Sequence, residues 1–464
     1  MVPERLRPLL DEVRPLAERF SGAGHRLYLV GGVVRDAVLG RAVDDRDLDF
    51  TTDARPDEIE SLLTPWADAV WTQGKRFGTI GAKKGERVYE VTTHRAEAYV
   101  PDSRKPDVEF SDSVESDLSR RDFTVNAMAL SLSADDDYRL VDPFDGTIDL
   151  AQRRLRTPLS PQQSFDDDPL RMLRAARFIS GYDLTPTPEI VEAVKAMRAR
   201  LSIVSAERIR DEFDKLMVVD KPAAGLWFLV HTGLADEFLP ELPALAVEQD
   251  PIHRHKDVLA HTIAVIEKTS PDKVLRLAAL FHDVGKPKTR SFAKGGVTFH
   301  FHDVVGARMT RERMTALRYP NEEIDEVARL VELHLRFHTY KMGWTDSAVR
   351  RYVRDAGPLL DQLNELTRCD CTTRNPKKAQ ALARRMDDLE SRIDELRRQE
   401  ELDAIRPDLD GRQVMAHLGV PPGPVVGEAL AFLLELRLEE GPLGEEEARR
   451  RLDDWWSQRS SSAS

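Results

Sequence analysis

Strand signals crowd into the first 150 residues of this chain and nearly vanish after them. That asymmetry limits the fold more than any other feature. Leu27-Tyr-Leu-Val30 is a short apolar strand, and Asp47-Leu-Asp-Phe50 and Val88-Tyr-Glu-Val-Thr-Thr93 alternate or are β-branched, as half-buried strands are. Gly31-Gly32 interrupts the first strand, and a helical pattern follows over 33–39. Beyond residue 150 the periodicity predicts helices over 167–180, 190–200, 206–218 and 223–231. The expected class is therefore α+β, a mixed α/β head followed by helices alone.

At 464 residues, the usual ~150 residues per domain give about three domains. A polar, proline-containing stretch over 242–255 reads as a boundary, and a histidine-rich helical block follows to about residue 371. From Pro376 a charged helix is expected to about residue 403, its alternating signs a solvated face. A module with its own apolar pattern spans 408–456, and the serine-rich end, 459–464, is expected to fray. The boundaries expected are 1–150, 151–250, 251–375 and 376–464. No apolar run approaches the ~20 residues of a membrane helix, and the charged N-terminus reads as no signal peptide. Two cysteines one residue apart, Cys369 and Cys371, exclude a disulfide framework and suit a reducing cytoplasm.

Sixty-eight Lys and Arg against 81 Asp and Glu leave a net charge of −13, which taken globally disfavours a nucleic-acid partner. Over 151–215, however, 12 basic residues face 10 acidic ones, so any polyanion site must be local.

The residues that carry chemistry begin at Gly31-Gly32-Val-Val-Arg35-Asp36. Two glycines where a strand meets a helix let a phosphate approach the backbone, and Arg35 adds a fork of donors; the plain alternative is an ordinary turn. Asp47 and Asp49 follow at i, i+2, which puts both carboxylates on one face of a strand. Such a pair suits Mg2+ shared with substrate phosphates, or else a polar surface strand. Together the turn and the pair suit in-line nucleotidyl transfer. Glu90 is a third acidic candidate, or a solvent-facing strand residue.

Leu29-Val-Gly-Gly-Val-Val-Arg-Asp36 with Asp47-Leu-Asp49 resembles the opening motif of the class II tRNA nucleotidyltransferase and bacterial poly(A) polymerase family, within the DNA polymerase β-like superfamily. Four further segments match in order: Arg120-Arg-Asp-Phe-Thr-Val-Asn-Ala127, Asp142-Pro-Phe-Asp-Gly146, Asp167-Asp-Pro-Leu-Arg-Met-Leu-Arg-Ala-Ala-Arg-Phe178 and Ser205-Ala-Glu-Arg-Ile-Arg-Asp-Glu212. The resemblance implies a nucleotidyltransferase head, a helical neck and body that bind base and RNA, and a tail that grips tRNA. It implies that Asp47 and Asp49 are catalytic and hold Mg2+, and that Gly31, Gly32, Arg35 and Asp36 meet the triphosphate. Arg121, Asp122 and Asn126 match a motif near the ribose and the head–neck junction, while Asp142 and Gly146 match a segment coupling head to neck.

Asp168 and Arg171, expected at i, i+3 on one helix face, match the pair that reads cytosine or adenine without a template; Arg174 and Arg177 match further nucleotide contacts. The plain alternative is a helix-face salt bridge. Asp167 stands where the family usually has Glu. The polar loop with Tyr99, Pro101, Arg104, Lys105 and Pro106 resembles the flexible loop of members that add C, C and A. The implied reaction is template-independent addition of C, C and A to tRNA 3′ ends from CTP and ATP; the partners are tRNA and these nucleotides, with no membrane and no DNA. A poly(A) polymerase of the same family is the nearest alternative.

His261, Phe281-His-Asp-Val-Gly285 and Asp370 resemble the HD phosphohydrolase superfamily, so His261, His282, Asp283 and Asp370 are implied ligands of a divalent transition metal. His334 is a candidate for a second ion, and His300 and His302 lie in the same block. Either the HD domain acts on phosphate esters at RNA ends, or it is a scaffold. A third reading makes the whole chain an HD phosphohydrolase with an RNA-binding N-terminal half. Cys369 and Cys371, without partners, make a poor zinc site. In the final module, 409–419 and 422–427 resemble the family's tail.

Overall fold

The computed structural model describes residues 6–41, 47–98, 107–133, 136, 138–247, 257–293, 296–342, 344–371, 376–400 and 405–462. The chain divides into two compact units, Met1–Pro240 and Glu241–Ser464.

The first unit opens with helix α1 (Arg7–Gly22), strand β1 (Leu27–Val30), α2 (Gly32–Leu39), β2 (Asp47–Thr52) and α3 (Pro56–Leu63). Strands β3 (Ala69–Trp71), β4 (Thr79–Lys84) and β5 (Arg87–Thr93) follow, then the hairpin β6 (Arg95–Ala98) and β7 (Asp107–Phe110). Helix α4 (Val114–Ser119), β8 (Ala129–Ser131), β9 (Leu140–Val141) and α5 (Gly146–Ala151) complete the head. Seven of these strands form one mixed sheet in the order β3-β4-β5-β2-β1-β8-β9. β1 is buried along its whole length, as expected of a central strand covered on both faces. Tyr28 and Val30 pack with Val114, Leu118, Ala127, Ala129 and Val141.

β2 runs antiparallel to β1 and parallel to β5, with Asp49 opposite Glu90 in register. Its first four residues alternate exposed and buried, so Asp47 and Asp49 share the open face while Leu48 and Phe50 go into the core. β3 escapes the sequence reading because it is only three residues long, and β4 because Gly81 breaks its apolar pattern. A Cβ at that position would lie 2.0 Å from the Trp71 ring, so the glycine makes room for the tryptophan.

The neck comprises β10 (Arg154–Leu155), α6 (Pro161–Asp167), α7 (Leu170–Tyr182), β11 (Thr185–Pro186), α8 (Pro188–Met197), α9 (Ala206–Met217) and α10 (Ala223–Thr232). α9 buries Ile209, Phe213, Leu216 and Met217, a stripe of helical period, and the Ser205 hydroxyl caps it by accepting from the Arg208 N–H. The helix expected over 167–180 begins later: an unexpected α6 stops at Asp167, Asp168 is extended (φ −144°, ψ 103°), and α7 starts only after Pro169. Proline disfavours a helical conformation in the residue before it.

The second unit begins with α11 (Glu241–Ala244), α12 (Val258–Lys268), α13 (Lys273–Phe281) and α14 (Lys286–Thr289). A hairpin, β12 (Arg290–Ala293) and β13 (Gly296–Phe299), interrupts the helices where none was expected. Helices α15 (His302–Ala316), α16 (Asn321–Leu333), α17 (Asp346–Ala356), α18 (Leu360–Asp370) and α19 (Pro376–Gln399) follow. Then come α20 (Gly411–Leu418), α21 (Pro424–Glu440) and α22 (Glu445–Ser462). The last three helices enclose their own core of Leu409, Val414, Val426, Ala429, Leu433, Ala448 and Leu452. The serine-rich end does not fray at 459, since α22 continues to Ser462. Among the described residues, no helix is long and apolar enough to cross a membrane.

Candidate functional site

In the head and neck, one cleft is lined by Gly31, Gly32, Asp49, Asp122, Asn126 and Asp168 together with six arginines: 95, 120, 121, 171, 174 and 208. Six guanidinium groups against three carboxylates give it the positive field that the chain's net charge conceals. Gly31 has φ +78°, and a Cβ there would stand 3.4 Å from Asp49 Oδ2. Only glycine takes that conformation without strain, so the turn brings the backbone against the carboxylate. Asp47 stands two residues along the same exposed face.

The arginines are aimed by buried acids. Asp117, fully buried, accepts from Arg120 Nε at 3.1 Å and Nη2 at 2.9 Å, and from Arg121 Nη2 at 3.3 Å. Burial opposes its ionisation, but the two guanidinium groups outweigh burial and hold the carboxyl at about 2. Asp122 takes Arg174 Nε at 2.8 Å on one oxygen, and the Phe123 N–H and the Asn126 amide on the other. Burial is again opposed by Arg174, which holds this carboxyl well below the usual carboxylate range. Asn126 Oδ1 in turn accepts from Arg35 Nη1 at 2.7 Å.

That network sets the positions of the remaining expected residues and corrects one expectation, the shared helix of Asp168 and Arg171. Arg35 is buried, forked onto Asp36 and stacked 4.0 Å from the Tyr182 ring centre, so neither Arg35 nor Asp36 lines the cleft. Arg177 pairs with buried Glu212 and also lies outside it. Asp168 and Arg171 both line the cleft but do not share a helix, because Pro169 separates them. Asp168 accepts from the Leu170 N–H at 3.1 Å and from Arg208 Nη2 at 2.8 Å. Arg171 donates to Ser164 Oγ at 3.0 Å and to the Arg120 carbonyl at 2.6 Å.

Asp142 caps α5, accepting from the Gly146 and Thr147 N–H groups at 2.7 and 2.9 Å. Gly146 lets α5 approach Thr124, whose carbonyl oxygen would be 2.2 Å from a Cβ. The sequence reading missed Arg95, Arg120 and Arg208. All three sit in or beside quoted motifs or strands, but only tertiary structure converges them. The loop with Tyr99, Pro101, Arg104, Lys105 and Pro106 lies outside the described residues.

The second unit gathers a separate cluster. His261 comes from α12, His282 and Asp283 from the end of α13, His302 opens α15, His334 ends α16 and Asp370 ends α18. His261 Nε2 is 2.9 Å from Asp370 Oδ1 and 3.3 Å from His282 Nε2. Two groups have ligand atoms close enough for one ion each, His261–His282–Asp283 and Asp283–His302–His334, with Asp283 common to both. The Nδ1 atoms of His282, His302 and His334 lie 2.8, 2.7 and 2.6 Å from backbone carbonyls, so Nδ1–H donates and Nε2 turns inward with its lone pair. Nε2 of His302 and of His334 is buried with no hydrogen-bond partner. Burial pulls His282 toward neutrality, yet Asp283 and Asp370 outweigh it and raise its affinity for a proton, so the pocket favours a positive charge at Nε2, which a metal ion would supply in the proton's place. Burial takes His334 down to about 4 and leaves it neutral. These residues therefore fit a transition metal. His300 is exposed and stands apart, and Cys369 and Cys371 are free thiols outside the cluster.

Gly285 explains part of this convergence. A Cβ there would lie 2.1 Å from the His302 carbonyl, so the glycine lets the turn after α13 touch the first turn of α15.

Fold and cleft define a nucleotidyltransferase head on a helical neck, in a chain that also carries an HD-type cluster. Comparison with known proteins agrees segment by segment: the pattern of the poly A polymerase head domain matches residues 27–156, the probable RNA and SrmB-binding site of polymerase A matches 183–245, and the HD domain matches 258–393. An A-adding tRNA nucleotidyltransferase from Deinococcus radiodurans is 35% identical over 447 residues, covering 92% of this chain and 95% of the relative. The chain belongs to the tRNA nucleotidyltransferase family. The CCA-adding enzyme of Bacillus subtilis is 42% identical over 224 residues, 48% of this chain and 54% of its own length, so that match spans about half of each protein. A crystal structure of the Bacillus stearothermophilus CCA-adding enzyme in complex with CTP superposes with a TM-score of 0.72 at 22% identity, over 99% of this chain and 100% of that one. The Thermotoga maritima CCA-adding enzyme complexed with tRNA gives 0.59 at 18%, over 97% and 96%. At those identities the likeness concerns the fold.

Proposed function

We propose that the chain adds C, C and A to tRNA 3′ ends from CTP and ATP without a template. The observation that carries the reading is Asp49 in an arginine-lined cleft against Gly31, with Asp47 two residues along the same open strand face. Two hard carboxylates side by side suit Mg2+, and Glu90 stands opposite Asp49 in register as a third oxygen donor. When bound, such ions activate the attacking hydroxyl and neutralise the departing pyrophosphate. The chain's own residues orient the substrate. Gly31 and Gly32 admit the phosphates to the backbone, and Arg120, Arg121 and Arg174, set by Asp117 and Asp122, meet phosphate and ribose. Asp168 accepts from the exocyclic amine of cytosine or adenine, and Arg171 donates to the neighbouring ring nitrogen. Arg35, Asp36 and Arg177 act one layer out, as braces.

The finer division follows from these roles: a head over 1–150, a base- and RNA-binding neck and body over 151–250, an HD domain over 251–375 and a tRNA-binding tail over 376–464. In the HD domain, His261, His282, Asp283 and Asp370 would hold one transition metal, with His302 and His334 available to another through Asp283. The bound metal would supply a nucleophilic water for phosphate-ester hydrolysis at RNA ends. Free cysteines suit a reducing compartment such as the cytoplasm.

A second reading, addition of the terminal A alone, is favoured by the near full-length match to the A-adding Deinococcus relative. Purified protein incubated with tRNA ending before CCA, after C and after CC, with each nucleoside triphosphate in turn, separates them. Complete addition requires CTP incorporation on the shortest substrate. ATP incorporation on the CC-ended tRNA alone selects the second reading, and long A tails on unstructured RNA would select a poly(A) polymerase.

A further inference from the structure

The structure assigns a stacking platform for the bases of a single-stranded RNA end to the β12–β13 hairpin and the entry to α15, beside the histidine–aspartate cluster of the second unit. This rests on the reading above, in which that cluster takes a phosphate ester at an RNA end; the platform holds the strand that carries the ester.

Among the described residues, the three most exposed large apolar side chains lie close together in sequence: Phe301 at 76%, Phe292 at 71% and Val304 at 55%. Such a patch on an otherwise polar surface marks a contact. Phe301 is held at φ +60°, ψ 24°, a left-handed conformation that an aromatic residue rarely takes. It neither buries its ring nor relaxes its backbone, so packing does not account for it.

The charges around the patch name its occupant. In the hairpin Arg290 is opposite Phe299 and Phe292 is opposite Val297, and residues two apart on a strand share a side, so all four lie on one face. The Arg290 guanidinium is 4.9 Å from the Phe292 ring centre. Its Nε is buried without a hydrogen bond, and among the described residues it has no carboxylate partner. Lys288, exposed on α14, has none either. Lys286 connects this face to the cluster, its ammonium 5.7 Å from the Phe299 ring centre and 2.7 Å from Asp283 Oδ2. The Phe299 carbonyl accepts from Nδ1 of His302 at 2.7 Å. Aromatic rings interleaved with unpaired cations, continuous with a phosphate-ester site, suit a nucleic-acid strand, since every base has a π-face and every linkage a negative charge. Stacking reads no base edge, so the platform is indifferent to sequence.

The test uses the full chain with Mn2+ and a trinucleotide ending in 2-aminopurine 3′-phosphate, whose base fluorescence falls on stacking. Wild type should bind it with quenching, and F292A/F301A should weaken binding about tenfold. F292L/F301L, which keeps apolar bulk without a ring, should weaken it nearly as far, while F301W should retain it. R290E should weaken it too, with less sensitivity to salt. F301G, which relieves the left-handed strain, should raise the thermal midpoint while weakening binding; a lowered midpoint would make Phe301 a structural residue and overturn its part. Full binding by the leucine pair would leave a merely apolar surface, open to a protein, and overturn the assignment. An equal loss in F292A/F301A for glycerol phosphate, a competitor with no base, would mean a disturbed cluster and overturn it as well, as would quenching that no aromatic variant alters. Release of inorganic phosphate from the same trinucleotide reports the hydrolytic reading separately. Wild type that quenches but releases none would refute that reading while supporting the platform, which is read without turnover.

Discussion

At the scale of single residues, the two aspartates of β2 owe their visibility to the alternation of side chains along a regular strand, which puts i and i+2 on one face. Their backbone position was readable from six letters. The arginines that complete the cleft were not, because an arginine reads equally well as a solvated charge, and it takes buried Asp117 and Asp122 to aim Arg120, Arg121 and Arg174. Asp117 makes this testable. Its ordinary value near 3.8 falls to about 2 in the fold, so its contribution is full above pH 4 and is lost as the pH drops toward 2. That shift corresponds to about 2 kcal/mol of stability. Urea unfolding followed from pH 5 to pH 2 should show this loss in the wild type. Asp117→Asn should be less stable at pH 5 and flatter with pH below 4, and it should slow nucleotide addition by releasing Arg120 and Arg121.

Among the elements, those with an uninterrupted period were legible and those bent by tertiary demand were not. α9 and α10 lie within a residue of their expected bounds because each has a continuous apolar pattern. The reading of α7 begins three residues early because Asp168 is extended ahead of Pro169, and ends two residues short of Tyr182. The β12–β13 hairpin was missed because four-residue strands inside a helical block leave no distinctive period. The cluster in the second unit depends on elements meeting at close range, which Gly285 permits. Gly285→Ala should force the turn after α13 away from His302, at a cost of about 1–3 kcal/mol. Metal bound per chain after reconstitution should fall, as measured by elemental analysis, while histidine content is unchanged. Retention of full metal content would show that the contact tolerates a methyl group.

At the scale of the whole molecule, the acidic balance of −13 is a poor guide to partners, since the cleft concentrates six arginines that the rest of the surface outvotes. The division into two compact units predicts separable chemistry. Asp47→Ala with Asp49→Ala should abolish nucleotide addition and leave hydrolysis of a model phosphodiester at its wild-type rate. His261→Ala should do the reverse. Loss of both activities in either variant would contradict the division. The interruption at Pro169 has a longer reach. The two side chains proposed to meet a nucleobase, Asp168 and Arg171, hang from different stretches of polypeptide, one held by Arg208 of α9 and the other by Ser164 of α6 and a backbone oxygen. Mutations can therefore retune one arm while the other stays put, and a lineage can widen or narrow its nucleotide diet without rebuilding the scaffold beneath.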